Sequence, residues 1–243
     1  LPSLAWGWEH KRDASGHPVR FAEREITFHL PAKLPPGVTA AEVRDAAERS
    51  LRAWSEVSGL RLRFEQGPAN ARAGYDAAGT NRNDILFVES GWSYDENAVA
   101  VTLVTVDRDR HHIIDADILL NADKRRFKKL ADGTRAAPVY DDLQNTLTHE
   151  LGHALGLAHT HDAEATMFAD TQRGETAKRE LSADDIDGIR ALYLTGEQAP
   201  PELALSCGAS GATAAAPLAW ALLVPLPWVR RRLRRDAFSE TLP

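Results

Sequence analysis

The sequence predicts an α+β fold: a twisted mixed sheet of about five strands with three helices, followed by a separate apolar tail. Three observations predict it. Short segments alternate apolar and polar residues with the two-residue period of a strand. Longer segments between and after them repeat apolar residues every three to four positions, as helices do. Past residue 196 the composition changes to linker residues and then to a long run without charge.

Taken in order, residues 1–24 read as an irregular lead-in containing Trp6, Trp8, Gly16 and Pro18. Glu25 to Leu30 alternates and is rich in β-branched and aromatic residues, so it is a strand, ended by Pro31, Pro35, Pro36 and Gly37. Thr39 to Ser58 is the first helix. Thr39 and Glu42 make a capping box, Val43, Ala47, Leu51 and Trp54 form one apolar face, and Gly59 suits the left-handed residue that commonly closes a helix. Leu60 to Phe64 alternates strictly and is the second strand; Gln66 to Asn83 reads as a loop. Asp84–Val88, Val99–Val106 and Ile113–Leu120 are three more strands, the last two joined by the polar stretch 107–112. Residues 124–138 are charged and then loop-like. Asp141 to Leu155 is the second helix, opened by a capping-box-like pair, Asp141 and Gln144, and buried along Leu143, Leu147, Leu151 and Ala154. Leu181 to Tyr193 holds the third, with Ser182 as its cap, Asp184 and Asp185 in the first turn, and Ile186, Ile189 and Tyr193 facing inward. The main domain is thus expected over residues 25–196, with a linker over 197–206.

Net charge is −6, which argues against a nucleic-acid partner. The balance is uneven: residues 207–243 hold five Arg against Asp236 and Glu240, a net of +3, so residues 1–206 carry −9. Cys207 is the single cysteine, which excludes an internal disulfide. With Leu1 rather than Met in first place, an N-terminal piece with room for an export signal is expected upstream.

The chemistry concentrates in Asp141 to Phe168, around His149-Glu150-Leu151-Gly152-His153, then Gly156 and His159. Residues four apart share a helix face, so His149 and His153 can turn their imidazoles to one zinc ion. Glu150 is rotated by roughly 100° from His149 and can reach a water on that ion without being a ligand. Gly156 can adopt φ > 0, letting the chain bend back so that His159 supplies a third nitrogen. Three protein ligands and a water are the open coordination of a catalytic zinc. His161 is the competing third ligand, and the motif's spacing favours His159. His111 and His112 lie in a charged loop and are expected to be solvated. Tyr193 is expected to pack.

HELGHALGLAH resembles the HExxHxxGxxH signature of the metzincin metallopeptidases. Met167, the chain's one methionine, then corresponds to the tight Met-turn beneath the zinc histidines. Within that clan the chain resembles the matrixins over about residues 20–195: the first helix with Trp54, DILF, IIDADILLN and LSADDIDGIRALY all follow that group's pattern. The resemblance implies peptide-bond hydrolysis in a cleft between an upper sheet subdomain and a small lower one. Protein or peptide substrates would add as a strand along Val99–Thr105, with Glu150 as general base toward a zinc-activated water. Two departures bear on the metals. Ile113 stands where the family has a histidine for a structural zinc, so one catalytic ion is expected. Asp115 and Asp117 could serve calcium, but Ile118 stands at the usual later acidic position.

The tail carries a second message. Ala212 to Val229 is 18 residues without charge, interrupted by Pro217, Pro225 and Pro227, and Arg230, Arg231, Arg232, Arg234 and Arg235 follow. The run is near the lower limit for a membrane span, and the arginines suit a cytoplasmic flank. With Cys207-Gly208 the segment resembles the C-terminal sorting tails of myxobacterial surface proteins; a plain membrane anchor is the competing reading. Both imply a secreted protein held at a membrane or cell surface through residues 207–243, its partners there being membrane or sorting machinery. The expected molecule is a monomeric, secreted zinc endopeptidase. A catalytically silent surface-binding module of the same fold is the alternative. A purely structural zinc is a third reading, which would recruit His161 or Asp162 as fourth ligand.

Overall fold

The computed structural model describes residues 7–131 and 139–194 in full and the backbone of Arg235–Ser239. The elements are β1 (Arg20–Phe21), β2 (Glu25–Leu30), α1 (Ala40–Ser58), β3 (Arg61–Gln66), β4 (Asn83–Val88), β5 (Ala100–Asp107), β6 (His112–Asn121), β7 (Phe127–Lys128), β8 (Asp141–Asp142), α2 (Leu143–Ala154), a single 3₁₀ turn (Ala177–Arg179), α3 (Ala183–Tyr193) and β9 (Arg235–Ser239). The main sheet runs β3-β2-β4-β6-β5-β9, with β1 alongside β6. β2, β3, β4 and β6 are mutually parallel, and β5 runs antiparallel to β6. The architecture is the mixed-sheet α+β fold that the patterning predicts.

The parallel strands are buried on the face covered by α1 and α2. Phe28, Trp54, Leu147, Leu151 and Ile118 are fully enclosed there. Trp54 also donates its indole N–H to the Thr148 carbonyl at 2.8 Å, so the core contact fixes α1 against α2 as well as filling space. The capping box predicted on α1 forms through Thr39–Glu42, the predicted Ser182 cap of α3 forms and is joined by Asp185 in a box of its own, and Gly59 closes α1 at φ 69°.

The start of α2 differs from the expected pair. Asp142, not Asp141, is the N-cap and accepts from the Asn145 amide; the Asp141–Asp142 backbone instead pairs with Phe127–Lys128 as a two-stranded ladder. Arg179 fixes that choice by donating to both Asp142 oxygens, at 2.8 and 2.6 Å, inside the protein. The expected lead-in is also structured. Arg20–Phe21 pairs with His112–Ile113, and the Lys11 amide donates to the Gly156 carbonyl at 2.8 Å. Ile186 is only half-buried, while Ile189, Leu192 and Tyr193 are buried.

The outer side of β5 is partly occupied. Arg235–Ser239 pairs antiparallel with Leu103–Asp107, leaving Ala100–Thr102 as the part of the predicted substrate edge outside that pairing. The charge-free run 212–229, Cys207, the linker 197–206 and the arginines 230–234 lie outside the described residues. No described helix is long and apolar enough to cross a membrane.

Candidate metal centre

α2 carries His149 and His153 one turn apart on a fully buried stretch, and the chain then reverses. Gly156 makes the reversal at φ 103°, a conformation open to glycine; a Cβ there would collide with the Val19 carbonyl. The turn presents His159 to the helix. Its Nε2 lies 3.1 Å from Nε2 of His153 and 3.3 Å from Nε2 of His149. The sequence-predicted trio is therefore brought to one point, and exposed His161 is not among the converging groups.

The other edge of two rings is engaged. His149 Nδ1 faces the Thr166 carbonyl at 2.6 Å, and His153 Nδ1 faces the Leu157 carbonyl at 2.9 Å. A carbonyl only accepts, so each Nδ1 carries the proton and each Nε2 offers a lone pair. Burial holds both imidazoles well below the ordinary histidine range, and the neighbouring Lys178 for His149 and Lys11 for His153 push the same way. Neutral imidazoles with lone pairs aimed at one point repel one another unless a cation stands between them. That arrangement fits zinc, with the Nδ1 contacts fixing tautomer and ring orientation.

Glu150 is 5% exposed and points to β5. Burial pushes its carboxyl up to about 7, opposed by the Thr102 hydroxyl, which donates to Oε2 at 2.5 Å, and by the positive charges of Lys11 and Lys178. Thr102 went unmarked in the sequence, because a threonine in a strand run carries no motif.

Beneath the helix, Met167 is 2% exposed, and a Cβ added to Gly152 would collide with its sulfur. Asp185 holds this turn from below, accepting the Thr166 amide at 2.7 Å and the Met167 amide at 2.9 Å while also capping α3. Lys178 ties down the chain beyond it, donating to the Asp170 carbonyl and the Thr171 hydroxyl, each at 2.7 Å. Thr160 donates its amide to the Met167 carbonyl at 3.0 Å.

The family model for Matrixin matches residues 20–194. The chain belongs to the matrixin family. This matrixin is 28% identical to stromelysin-1 of Mus musculus over 186 residues, which is 76% of this chain and 35% of that protein. It is 27% identical to matrix metalloproteinase-20 of Homo sapiens over 177 residues, 72% of this chain and 32% of that one. A shorter match of higher identity, 48% over 52 residues, is to metalloendoproteinase 1 of Glycine max, covering 21% of this chain and 17% of that protein. The chain spans about a third of the length of the first two relatives.

Two sequence expectations fare differently. Tyr193 packs as expected, fully enclosed, with its hydroxyl donating to the Leu155 carbonyl at 2.9 Å and accepting the Phe21 amide at 3.1 Å. His111 is not simply solvated: its Nδ1 pairs with Asp13 across 98 residues, and its ring stacks on His17. For calcium, Asp117 spends its oxygens on the Gly74 and Asp84 amides, and Asp115 and Asp117 are not among the ligand clusters found within the described residues.

Proposed function

We propose that this matrixin is a zinc-dependent endopeptidase with His149, His153 and His159 as zinc ligands and Glu150 as general base. The observation that carries this reading is the convergence of three Nε2 atoms beside a buried carboxylate. Zinc bound there supplies a Lewis acid that acidifies water and polarises the scissile carbonyl. The protein's own part follows from its residues. Glu150 accepts the proton of the attacking water and returns it to the leaving amine. The Thr102 hydroxyl holds the carboxylate in place during both transfers. The Thr166 and Leu157 carbonyls keep the rings turned inward, and Met167, packed under Gly152, supports the floor. The substrate adds as a strand to the Ala100–Thr102 part of the β5 edge, level with Glu150, since Leu103–Asp107 pairs with Arg235–Ser239.

The test is Glu150→Gln. The variant retains zinc by metal analysis and loses about a thousandfold in kcat/KM on an unfolded protein or peptide substrate. Wild-type turnover in that variant, or cleavage by wild type that survives a chelator, overturns the assignment. We further infer that the protein is secreted as a monomer and held at the cell surface by residues 207–243, on the strength of the charge-free run followed by arginines; anchoring there and the pairing of Arg235–Ser239 with β5 are alternative states of the tail. Fractionation of cells carrying the full chain, against one ending at residue 206, checks this: the shorter form is released.

A further inference from the structure

Apart from the histidine triad, one other group of metal-binding side chains converges among the described residues: Asp13, His17 and His111, each offering one ligand atom, all within 4.8 Å of one another. It lies where the segment before β1 meets the β5–β6 turn. The family resemblance would put a second zinc elsewhere, at the position of Ile113, which here is apolar and buried.

The carboxylate of Asp13 is set in place by its surroundings. One oxygen, Oδ1, accepts the Ser15 amide at 2.9 Å, the Ser15 hydroxyl at 2.7 Å and the His17 amide at 3.0 Å. This leaves Oδ2 for His111, whose Nδ1 lies against it. The Asp13 side chain is only 3% exposed, whereas those of His17 and His111 are 59% and 36% exposed, so the group has a fixed base and an open mouth. The two rings stack with their centroids 4.1 Å apart. His111 is moreover the one non-glycine described residue with positive φ, at 57°. A left-handed residue other than glycine costs roughly 1 kcal/mol, and Asn or Gly would fill the turn more comfortably. Histidine there directs an imidazole at Asp13 in spite of that cost.

We propose that Asp13, His17 and His111 form a second divalent-metal site that takes zinc. The two imidazole nitrogens favour zinc over calcium or magnesium, the carboxylate oxygen is a common third ligand for it, and water completes the open side. The ion takes the place of the hydrogen bond between His111 and Asp13. It staples the loop 13–17 to the β5–β6 turn. The strand of chain it fixes is the one that backs the catalytic turn: the Lys11 amide bonds Gly156, and the Ala158 amide donates to the Glu9 carbonyl at 2.9 Å. The second ion is therefore structural and supports the presentation of His159 from outside.

The experiment is zinc stoichiometry of the full chain by equilibrium dialysis at micromolar free zinc, followed by metal analysis. Wild type binds two ions. His17→Ala with His111→Asn binds one, the Asn preserving the left-handed turn. His153→Ala with His159→Ala also binds one, and in that background zinc still raises the thermal midpoint until His17 and His111 are replaced too. A zinc count unchanged by the His17 and His111 substitutions overturns the second site. Failure of the catalytic assignment has a different signature: the His153 and His159 substitutions would leave the count unchanged. Far-UV circular dichroism of each variant in chelator verifies folding, and His17→Ala alone replaces the double variant if that does not fold.

Discussion

Glu150 sits where burial and hydrogen bonding pull in opposite directions. A carboxylate with 5% exposure tends to keep its proton, whereas the proposed base must release it; the Thr102 hydroxyl at 2.5 Å favours the ionised form and engages Oε2. A hydrogen bond to a charged group contributes about 1.5–3 kcal/mol, so losing it costs about tenfold or more in rate. Thr102→Val is therefore expected to lower kcat about tenfold with zinc content and KM unchanged, and Thr102→Ser to recover most of it. Steady-state kinetics on a quenched fluorescent peptide measures this, and an unaltered kcat in the Val variant would remove Thr102 from the reaction. Thr102 also marks the limit of what residues reveal by themselves. His149, His153 and His159 could be read because the geometry joining them is local, one helical turn and one glycine reversal. The Thr102–Glu150 contact spans 48 positions, and the Asp13–His111 pair spans 98; no local pattern announces either.

The elements that were legible are those long enough to show a period. α1, α2, α3 and five of the six longer strands declare themselves through spacing and caps, while β9 lies in the stretch read as tail. β1, β7 and β8 have two residues each, too few for an alternation, and exist because tertiary neighbours hold them. The same logic moved the α2 cap by one residue, since Arg179 is buried against Asp142 from a distant part of the chain. α2 meets the turn below it closely. Gly152 is the one α2 position where a side chain has no room: an added Cβ would strike the Met167 sulfur and lie 2.9 Å from Trp54 Cζ2. Trp54 cannot retreat, being fully buried and bonded to Thr148. Overpacking of this kind costs about 1–3 kcal/mol, and each kcal/mol lowers the midpoint of a chain this size by about 2–4 °C. Gly152→Ala is thus expected to melt several degrees lower than wild type. A scan showing an unchanged midpoint would mean that the Met167 turn yields freely and does not brace the helix.

At the scale of the whole molecule the acidic balance reaches into the interior. Asp84 on β4 and Asp115 and Asp117 on β6 are each about 2% exposed or less, and the cation set against them, Arg82, is 3.6 Å from Asp84. Burial pushes Asp115 up to about 7 and Asp117 up to about 6; for Asp115 the charges of Asp117 and Asp84 add to the effect, while for Asp117 the Gly74 and Asp84 amides oppose it. Asp117 earns its place by tying the loop at Gly74 to the sheet, but no comparable bond holds the ionised form of Asp115 down. An acid whose folded value is raised binds its proton more tightly in the folded state. Its contribution to stability is complete below the unfolded value of about 4 and is lost as pH rises through the folded value. These two groups thus make the protein less stable at about pH 8 than at about pH 5. Asp115→Asn keeps the shape, cannot ionise and relieves Asp117 of a like charge. In the presence of chelators it is expected to match wild type near pH 5 and to exceed it near pH 8 by about 1–2 kcal/mol, allowing for solvent screening. Urea unfolding at the two pH values measures the difference. Parallel pH profiles for variant and wild type would mean that Asp115 is ionised at no cost in the fold, and that the cluster holds a counter-charge which the chelators do not remove.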